Sequence, residues 1–207
     1  MIPNVAPRLI VGLGNPDAKY ANTRHNIGRL VIETYLKETS GFLARLTGSS
    51  AKSINIPEFK GKAYRTHTTK TGCVFVPDLG TFMNESGPAL ERVRSFLKLE
   101  AAEVLLIHDD IDLPLDTVRI SFDASAGGHN GVRSVITALG TSTFCRLRIG
   151  IETRTNKSEP PADAFVLQPF LESEQQRAVQ KGCAALTAIL TTGATTAMNT
   201  YNTRSNG

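Results

Sequence analysis

The sequence has few cysteines and no apolar segment long enough to span a membrane. Its three cysteines, Cys73, Cys145 and Cys183, are far apart and show no CxxC spacing. Because disulfide frameworks and cysteine-based zinc sites need paired cysteines, we expect neither, and a reducing compartment fits best. No apolar run approaches the roughly 20 residues that a transmembrane helix requires, so we expect no membrane partner.

The start of the sequence does not lead us to expect a targeting signal. The first residues, MIPNVAPRLIVGLG, have neither the charged start nor the cleavage region of a secretory signal. Before Gly12 they are also too short and too strand-like for an Arg/Ser-rich transit peptide. We therefore expect a cytoplasmic protein, with the mitochondrial matrix as the alternative in a eukaryote.

The remaining composition is that of an ordinary globular protein. Hydrophobic residues make up 41% of the 207-residue chain and charged residues 20%, which predicts one domain spanning 1–207 with frayed ends at about 1–7 and 200–207. The net charge of +4 is compatible with a polyanionic partner but does not identify one, since many basic proteins bind no nucleic acid.

The hydrophobic pattern alternates between strand and helix periods. The predicted strands are 8–13, 104–108, 118–122 and 145–152, with a hairpin over 63–78. The predicted helices are 27–41, ended by a glycine, 89–97, 130–140 and 172–190, and the predicted loops are 46–58 and 153–163. This order indicates an α/β fold: a single domain with a mixed, twisted β-sheet flanked by helices on both faces.

A strand that runs into glycines raises the question of nucleotide binding. GLGNP (Gly12–Pro16) follows the apolar run RLIV, as phosphate-binding loops of dinucleotide-binding proteins do. Such a loop needs a helix that starts at once, so that its N-terminal amides face the pyrophosphate. Pro16 removes an amide donor, and helical periodicity begins only near Ile27, so a nucleotide-dependent oxidoreductase is disfavoured.

Polar side chains instead follow several predicted strands, which is where open α/β sheets place their sites. The candidates after the first strand are Asn15, Tyr20, Arg24, His25 and Asn26. Similar groups occur in TFMNESG at 81–87, HDDIDLP at 108–114 and SAGGHNG at 125–131.

These segments together resemble the bacterial-type peptidyl-tRNA hydrolase family. The matching motifs are GLGNP followed by TRHN, then TFMN, HDDIDLP, and AGGHNG followed by RLRIGI, in the family's order over 12–151. The resemblance implies a single α/β domain that hydrolyses the ester joining a peptide to the 3′ end of tRNA and so recycles tRNA from stalled or dropped-off translation. Its implied partner is peptidyl-tRNA, bound through the acceptor stem and 3′ end. We expect no cofactor and a monomer. The alternative is a non-catalytic RNA-binding module of the same fold.

The resemblance assigns catalysis to a histidine and an aspartate: His25 activates a water molecule, and Asp109 is its partner. The chemistry is reasonable, because an imidazole with a pKa of about 6.5 accepts a proton at neutral pH and a carboxylate fixes its tautomer. The neighbouring Asp110 and Asp112 are typical of a solvated acidic turn, and no second ligand cluster accompanies them, so we expect no metal. No GxSxG elbow or Cys–His signature is present, which favours direct attack by water.

Three asparagines take the remaining polar roles by resemblance. Asn84 and Asn130 contact the tRNA acceptor end and help to hold the water and the ester, and Asn15 separates N-blocked from free aminoacyl esters. An amide suits this work because it donates and accepts hydrogen bonds without a charge that would repel RNA phosphate.

Other residues of these motifs have roles in substrate binding by resemblance. Tyr20 and Phe82 match tRNA-contacting aromatics, whose rings can stack on a terminal base. His129 has two interpretations: a wall for the peptide moiety by resemblance, or a side chain that caps its own loop.

Basic residues of the later strands are candidates for contacts with RNA phosphate. Arg148 matches a basic clamp position of the family, whereas Ser121 stands where many members carry Lys or Arg, which weakens transfer of a 5′-phosphate clamp. Further candidates for a positive track, each also typical of an ordinary surface charge, are Arg119, Arg133, Arg146 and Lys157.

Overall fold

A seven-stranded mixed β-sheet forms the centre of the fold in the computed structural model, which describes residues 5–47, 51–66, 72–156 and 160–202. The strands are β1 (Leu9–Gly12), β2 (Lys52–Ser53), β3 (Lys62–Thr66), β4 (Cys73–Asp78), β5 (Val104–Pro114), β6 (Val118–Phe122) and β7 (Cys145–Glu152). The helices are α1 (Ile27–Thr47), α2 (Ser86–Leu97), α3 (Asn130–Leu139), α4 (Ala162–Val166), α5 (Glu172–Thr192) and α6 (Ala194–Tyr201).

The strand order is β2-β3-β4-β1-β5-β7-β6. The four central strands β4, β1, β5 and β7 are parallel, whereas β2 and β3 at one edge and β6 at the other pair antiparallel with their neighbours. This confirms the predicted mixed sheet and the predicted hairpin. Because the parallel strands end at the same edge, the segments that follow them come together there.

Helices cover both faces of the sheet, as predicted. Alternate residues of each central strand point to opposite faces, so that Leu105 and Ile107 pack with α1 and α5, while Val104 and Leu106 pack with α2 and α3. These strands are buried on both sides, which explains why their sequences are continuous apolar runs rather than alternating patterns.

Two predicted ends of elements are wrong. Helix α1 does not stop at Gly41 but continues to Thr47. One glycine costs a helix only about 1 kcal/mol, and the residues that follow include the strong helix formers Leu43, Ala44 and Arg45. Strand β5 continues beyond His108 to Pro114, because β7 pairs with it along this length.

The segments predicted to be irregular also contain regular structure. The end of the chain was expected to fray from about residue 200, but α6 extends to Tyr201. The side chain of Asn202 hydrogen-bonds to both backbone groups of Ile120. These two bonds attach the end of α6 to β6. Within the predicted loop 46–58, β2 pairs with β3 and widens the sheet.

Helix α1 packs directly onto the backbone of the sheet. A Cβ atom at Gly28, in the first turn of α1, would collide with the carbonyl oxygen of Ile107 in β5. The same carbonyl accepts a hydrogen bond from the N–H of Leu13 at 2.9 Å, just after β1. Because only glycine permits so close an approach, this contact fixes the start of α1 against β5, beside the end of β1.

We expect Gly28→Ala to lower the free energy of unfolding by about 1 to 3 kcal/mol, as overpacking against backbone atoms does. Gly182→Ala is the matched control, because Gly182 also lies in a helix facing α1, but its Cβ would meet mainly the side chain of Val31, which can adjust. Urea denaturation of the wild type and both variants measures the effect. A Gly28→Ala protein as stable as the wild type would contradict this packing.

Candidate active site

The turn that carries His25 is tied to the loop after β1. Residues Arg24–Asn26 form a 3-10 turn that leads into α1. The buried side chain of Asn26 bonds to both backbone groups of Asn15: its Oδ1 accepts from the N–H at 2.8 Å, and its Nδ2 donates to the C=O at 3.0 Å. This two-point contact holds the His25 turn beside the GLGNP segment.

His25 and Asp109, which the sequence paired by resemblance, are in contact. Asp109 lies in β5 with 2% of its surface exposed, and its two carboxylate oxygens are 2.9 and 3.1 Å from Nδ1 of His25. Since an ionised carboxylate only accepts hydrogen bonds, Nδ1 of His25 carries the proton and donates it. The lone pair of Nε2 is then available to accept a proton.

The charge of Asp109 sets the protonation of His25. Burial by itself lowers the pKa of His25, but the negative charge and hydrogen bond of Asp109 outweigh burial and leave this pKa raised above its ordinary value of 6.5. Burial also opposes ionisation of Asp109, yet His25 and His129 together hold the pKa of Asp109 well below its ordinary 3.8. Asp109 is therefore ionised at neutral pH.

His129 makes contacts in two directions. Its Nε2 lies 2.9 Å from Oδ1 of Asp109, and its Nδ1 accepts hydrogen bonds from the N–H groups of Gly131 and Val132 at the start of α3. The second of the two interpretations, a capping side chain, is therefore confirmed. The bond to Asp109 was not predicted, because the sequence does not show that 109 and 129 are adjacent in space.

A cavity of about 460 Å³ opens beside these three residues. Its walls are the end of β5, the glycine loop 124–130, the basic side chains of β7 and one side of α4. Of the predicted site residues, those that line it are His25, Asp109, His129, Asn130 and Arg148. Asn15, Tyr20, Phe82 and Asn84 are not among its lining residues.

Asn15 connects the His25 turn to a second group of predicted residues. Its Oδ1 accepts a hydrogen bond from the N–H of Met83 at 2.9 Å, which places it against the 3-10 turn Met83–Glu85 that contains Asn84. Phe82, next to this turn, is 46% exposed, and Asn84 is exposed as well. Tyr20 is half-buried, with the ammonium group of Lys19 over its ring. These side chains are not among the residues that line the cavity.

The acidic run after His108 is not a solvated turn throughout. Asp110 is buried and forms an ion pair with Nε of Arg148 on β7, so the expectation of solvation is wrong for this residue. The extended β5 carries Asp110 into the sheet, where a charge needs a partner. Asp112, near the end of the strand, is exposed as expected.

One candidate for the positive track, Arg146, has a structural role. Arg146 was a candidate for the positive track, but it is buried, lies over the ring of Phe144 and donates to the carbonyl groups of Ala124 and Ser125. Arg146 therefore holds the glycine loop through hydrogen bonds to its backbone and is not a surface charge. Arg119 and Arg133 are exposed, and Lys157 lies outside the described residues.

Arg24 connects the site with α4, which the sequence did not predict. Its guanidinium group lies over the rings of Phe165 and Phe170, pairs with Glu174 and donates to the carbonyl of Pro169. The residue before His25 thereby attaches the wall formed by α4. Nothing in the local sequence distinguishes this buried arginine from a surface one.

His108 also lines the cavity, and the sequence had given it no role of its own. It is 4% exposed; its Nδ1 donates to the backbone carbonyl of Asp109, and its Nε2 is buried without a hydrogen-bond partner among the described residues. Burial lowers the pKa of His108 to about 3. His108 is therefore a neutral histidine throughout the physiological pH range.

His25, Asp109 and His129 are close enough to be considered as a metal site, since their candidate ligand atoms lie within 4.8 Å of one another. In the structure these same nitrogen and oxygen atoms hydrogen-bond to each other. We interpret the group as a hydrogen-bonded network and do not assign it to metal binding.

Comparison with known proteins identifies close relatives over nearly the whole chain. The family model described as peptidyl-tRNA hydrolase matches residues 9–207. The peptidyl-tRNA hydrolase of Exiguobacterium sibiricum is 39% identical over 202 residues, which cover 94% of this chain and 100% of that protein. That of Synechococcus elongatus is 38% identical over 205 residues, which cover 96% of this chain and 94% of that protein.

The fold has solved counterparts as well. The crystal structure of peptidyl-tRNA hydrolase from Acinetobacter baumannii matches with a TM-score of 0.78 and 28% identity, covering 98% of this chain and 97% of that chain. In the part of this chain that the structure describes, no helix is long and apolar enough to cross a membrane.

The buried, neutral His108 should make the stability of the folded protein depend on pH. Its pKa is about 3 in the folded protein and about 6.5 when unfolded, so the unfolded state binds more protons between these values and stability is lost as the pH falls. His108→Gln removes this titration. Relative to the variant, the wild type should lose about 3 kcal/mol of stability between pH 7 and pH 4.

Urea denaturation at both pH values measures the difference. His25→Gln is the control of opposite sign, because the raised pKa of His25 stabilises the folded state as the pH falls. Parallel pH dependences of the wild type and His108→Gln would show that His108 is not held neutral.

Proposed function

The chain belongs to the peptidyl-tRNA hydrolase family, and we propose that it hydrolyses the ester of peptidyl-tRNA with a water molecule activated by His25. The observation that carries this mechanism is the bond from Nδ1 of His25 to Asp109, which leaves Nε2 as a base beside the cavity. The comparisons give no support to a non-catalytic RNA-binding module.

The reaction needs one proton to move twice. As the water oxygen attacks the ester carbonyl carbon, Nε2 of His25 takes a proton from the water and becomes part of an imidazolium. The tetrahedral intermediate then expels the ribose oxygen of the terminal nucleotide, which receives the proton from His25. The products are a tRNA with a free hydroxyl and a peptide carboxylic acid, which releases the second proton of the water molecule to solvent and becomes a carboxylate at neutral pH.

Asp109 supports both steps without changing its own charge. It stays ionised because its pKa lies far below neutrality, so it stabilises the imidazolium as it forms and keeps the other nitrogen directed at the water. This is the role that a carboxylate has in other histidine-based hydrolytic sites.

Direct attack by water is favoured over a covalent acyl-enzyme. Among the described residues, no serine or cysteine hydrogen-bonds to His25. The cysteines are buried, and burial raises the pKa of Cys145 and of Cys183 to about 12, so they are thiols rather than nucleophilic thiolates.

Asn130 is proposed to hold the ester next to His25. It lines the cavity, and its Oδ1 accepts a hydrogen bond from Arg133 at 3.2 Å. Its Nδ2 is left to donate to the carbonyl oxygen, where negative charge develops during the attack. Asn84, exposed on the neighbouring turn, is assigned to the tRNA acceptor end.

The remaining contacts with tRNA are assigned to aromatic and basic side chains. Phe82 presents an exposed ring and Tyr20 a half-exposed ring for base stacking. Arg148 uses Nε for Asp110, so its terminal nitrogens remain for a phosphate. Arg119 lies directly opposite Arg148 in the β6–β7 pair and adds positive charge there, whereas Ser121 does not.

We propose that the chain is one hydrolase domain spanning 1–207 that acts as a monomer in the cytoplasm, where translation supplies its substrate. One chain provides the groups that surround the cavity, which supports action as a single copy. Sedimentation velocity tests this assignment, and a stable dimer at assay concentrations would contradict it.

Asn15 is proposed to recognise the N-acyl group of the substrate. Because its Oδ1 is occupied by the N–H of Met83, its Nδ2 is the group available for substrate, and it is a donor. A peptidyl ester offers an extra carbonyl oxygen to this donor, whereas a free aminoacyl ester offers a cationic ammonium group, which the donor does not favour. The donor of Asn15 therefore favours the peptidyl ester over the free aminoacyl ester, because only the peptidyl ester offers it an acceptor oxygen.

Removal of the proposed base, His25, tests the mechanism. His25→Ala should lower kcat by about 10²- to 10⁴-fold, as loss of a general base does, while the dissociation constant for tRNA changes little. Turnover of N-acetyl-aminoacyl-tRNA under saturating conditions and a filter-binding assay measure the two quantities. Lys37→Ala, an exposed change elsewhere in α1, should behave like the wild type. Near-normal turnover by His25→Ala would refute the mechanism.

A substitution at Asn15 tests whether this residue recognises the N-acyl group. Asn15→Asp keeps an oxygen for the N–H of Met83 but replaces the donor with a carboxylate oxygen. We expect kcat/KM for N-acetyl-aminoacyl-tRNA to fall by about 10- to 100-fold, as for an unmade bond of about 1 to 3 kcal/mol, and kcat/KM for the free aminoacyl-tRNA to hold or rise. The preference for N-acetyl-aminoacyl-tRNA over free aminoacyl-tRNA, measured as the ratio of the two kcat/KM values, should therefore decrease. An unchanged ratio would show that Asn15 does not discriminate between them.

A further inference from the structure

His129 is bonded through both ring nitrogens, and the two bonds constrain each other. Its Nδ1 accepts from the N–H groups of Gly131 at 3.1 Å and Val132 at 3.3 Å, so this nitrogen cannot carry a proton without losing both bonds. The ring proton therefore lies on Nε2, which donates to Asp109 at 2.9 Å.

The start of helix α3 thus selects the tautomer that hydrogen-bonds to the catalytic carboxylate. Oδ1 of Asp109 receives two donors, Nε2 of His129 and Nδ1 of His25, both at 2.9 Å. The ring of His129 is held between two others, with centroids 4.8 Å from that of His25 and 4.9 Å from that of His108. It has little freedom to turn away from Asp109.

We propose that His129 is a positioning residue for hydrolysis, which orients Asp109 toward His25 and, by sharing the carboxylate, keeps His25 free to act as a base at a lower pH. This rests on the proposed function in that His25 is the base. A second donor on Oδ1 draws negative charge from the carboxylate, which then attracts a proton on His25 less strongly. Without His129, the carboxylate would bind the imidazolium more tightly, and fewer molecules would hold His25 in its basic form.

The other charged and titratable groups around the pair can be accounted for. From β5, His108 packs edge-on against His129, and burial lowers the pKa of His108 to about 3, so it stays neutral. Asp110 and Arg148 also line the cavity and neutralise each other in an ion pair. Arg146 lies beneath the glycine loop, and Asp163 of α4 lines the opposite wall.

Two amide variants separate the functions of the two ring nitrogens. The side chain of His129→Asn is long enough to cap α3, as asparagine commonly does, but too short to reach Asp109. His129→Gln places an amide N–H near the position of Nε2, so it can donate to Asp109 but caps the helix poorly. The pKa of His25 is read by NMR from its ring signals in the free protein, assigned with His25→Gln.

We expect the pKa of His25 to rise by about half a unit in His129→Asn and to stay close to the wild-type value in His129→Gln. The acid limb of kcat/KM for N-acetyl-aminoacyl-tRNA should move to higher pH by the same amount in His129→Asn alone. An unchanged or lower pKa in His129→Asn, or an equal rise in both variants, would overturn the proposal. A rise seen by NMR without movement of the kinetic limb would support the role of His129 and refute His25 as the base.

Discussion

A carboxylate that is 2% exposed is stable only where donors replace the water it has lost, and this requirement organises the site around Asp109. It lies in β5, and its donors come from elsewhere: His25 from the turn before α1 and His129 from the start of α3. The two histidines are 104 residues apart in sequence and hydrogen-bond to one oxygen atom. The geometry of the proposed base therefore depends on how three elements pack, not on a local motif.

Contacts with backbone atoms largely specify how these elements pack. The close approach of α1 to β5 at Gly28 sets the depth of the His25 turn, and the bonds between Asn26 and Asn15 set its direction. Arg24 then joins the same turn to the wall formed by α4. Small shifts in any of these contacts would move Nε2 of His25 relative to the cavity, so stability and activity are coupled here.

Much of the fold and part of the site could be predicted from the sequence, for identifiable reasons. Continuous apolar runs and helical spacing revealed the sheet and its major helices, and motif order revealed His25 and Asp109. Burial of Asp110, Arg146 and Arg24 could not be predicted, because a paired charge in the interior has the same local sequence as a solvated one. The second contact of His129 depends on tertiary proximity, which no periodicity reports.

The central claim is that Asp109 makes His25 an effective base, and the pH dependence of single-turnover hydrolysis in Asp109→Asn tests it most directly. The carboxylate raises the pKa of His25 against the opposing effect of burial. Its removal should therefore move the acid limb of the profile to lower pH, and the plateau rate should fall because the imidazolium is no longer stabilised. An acid limb at the wild-type position, or a plateau equal to that of the wild type, would contradict the account.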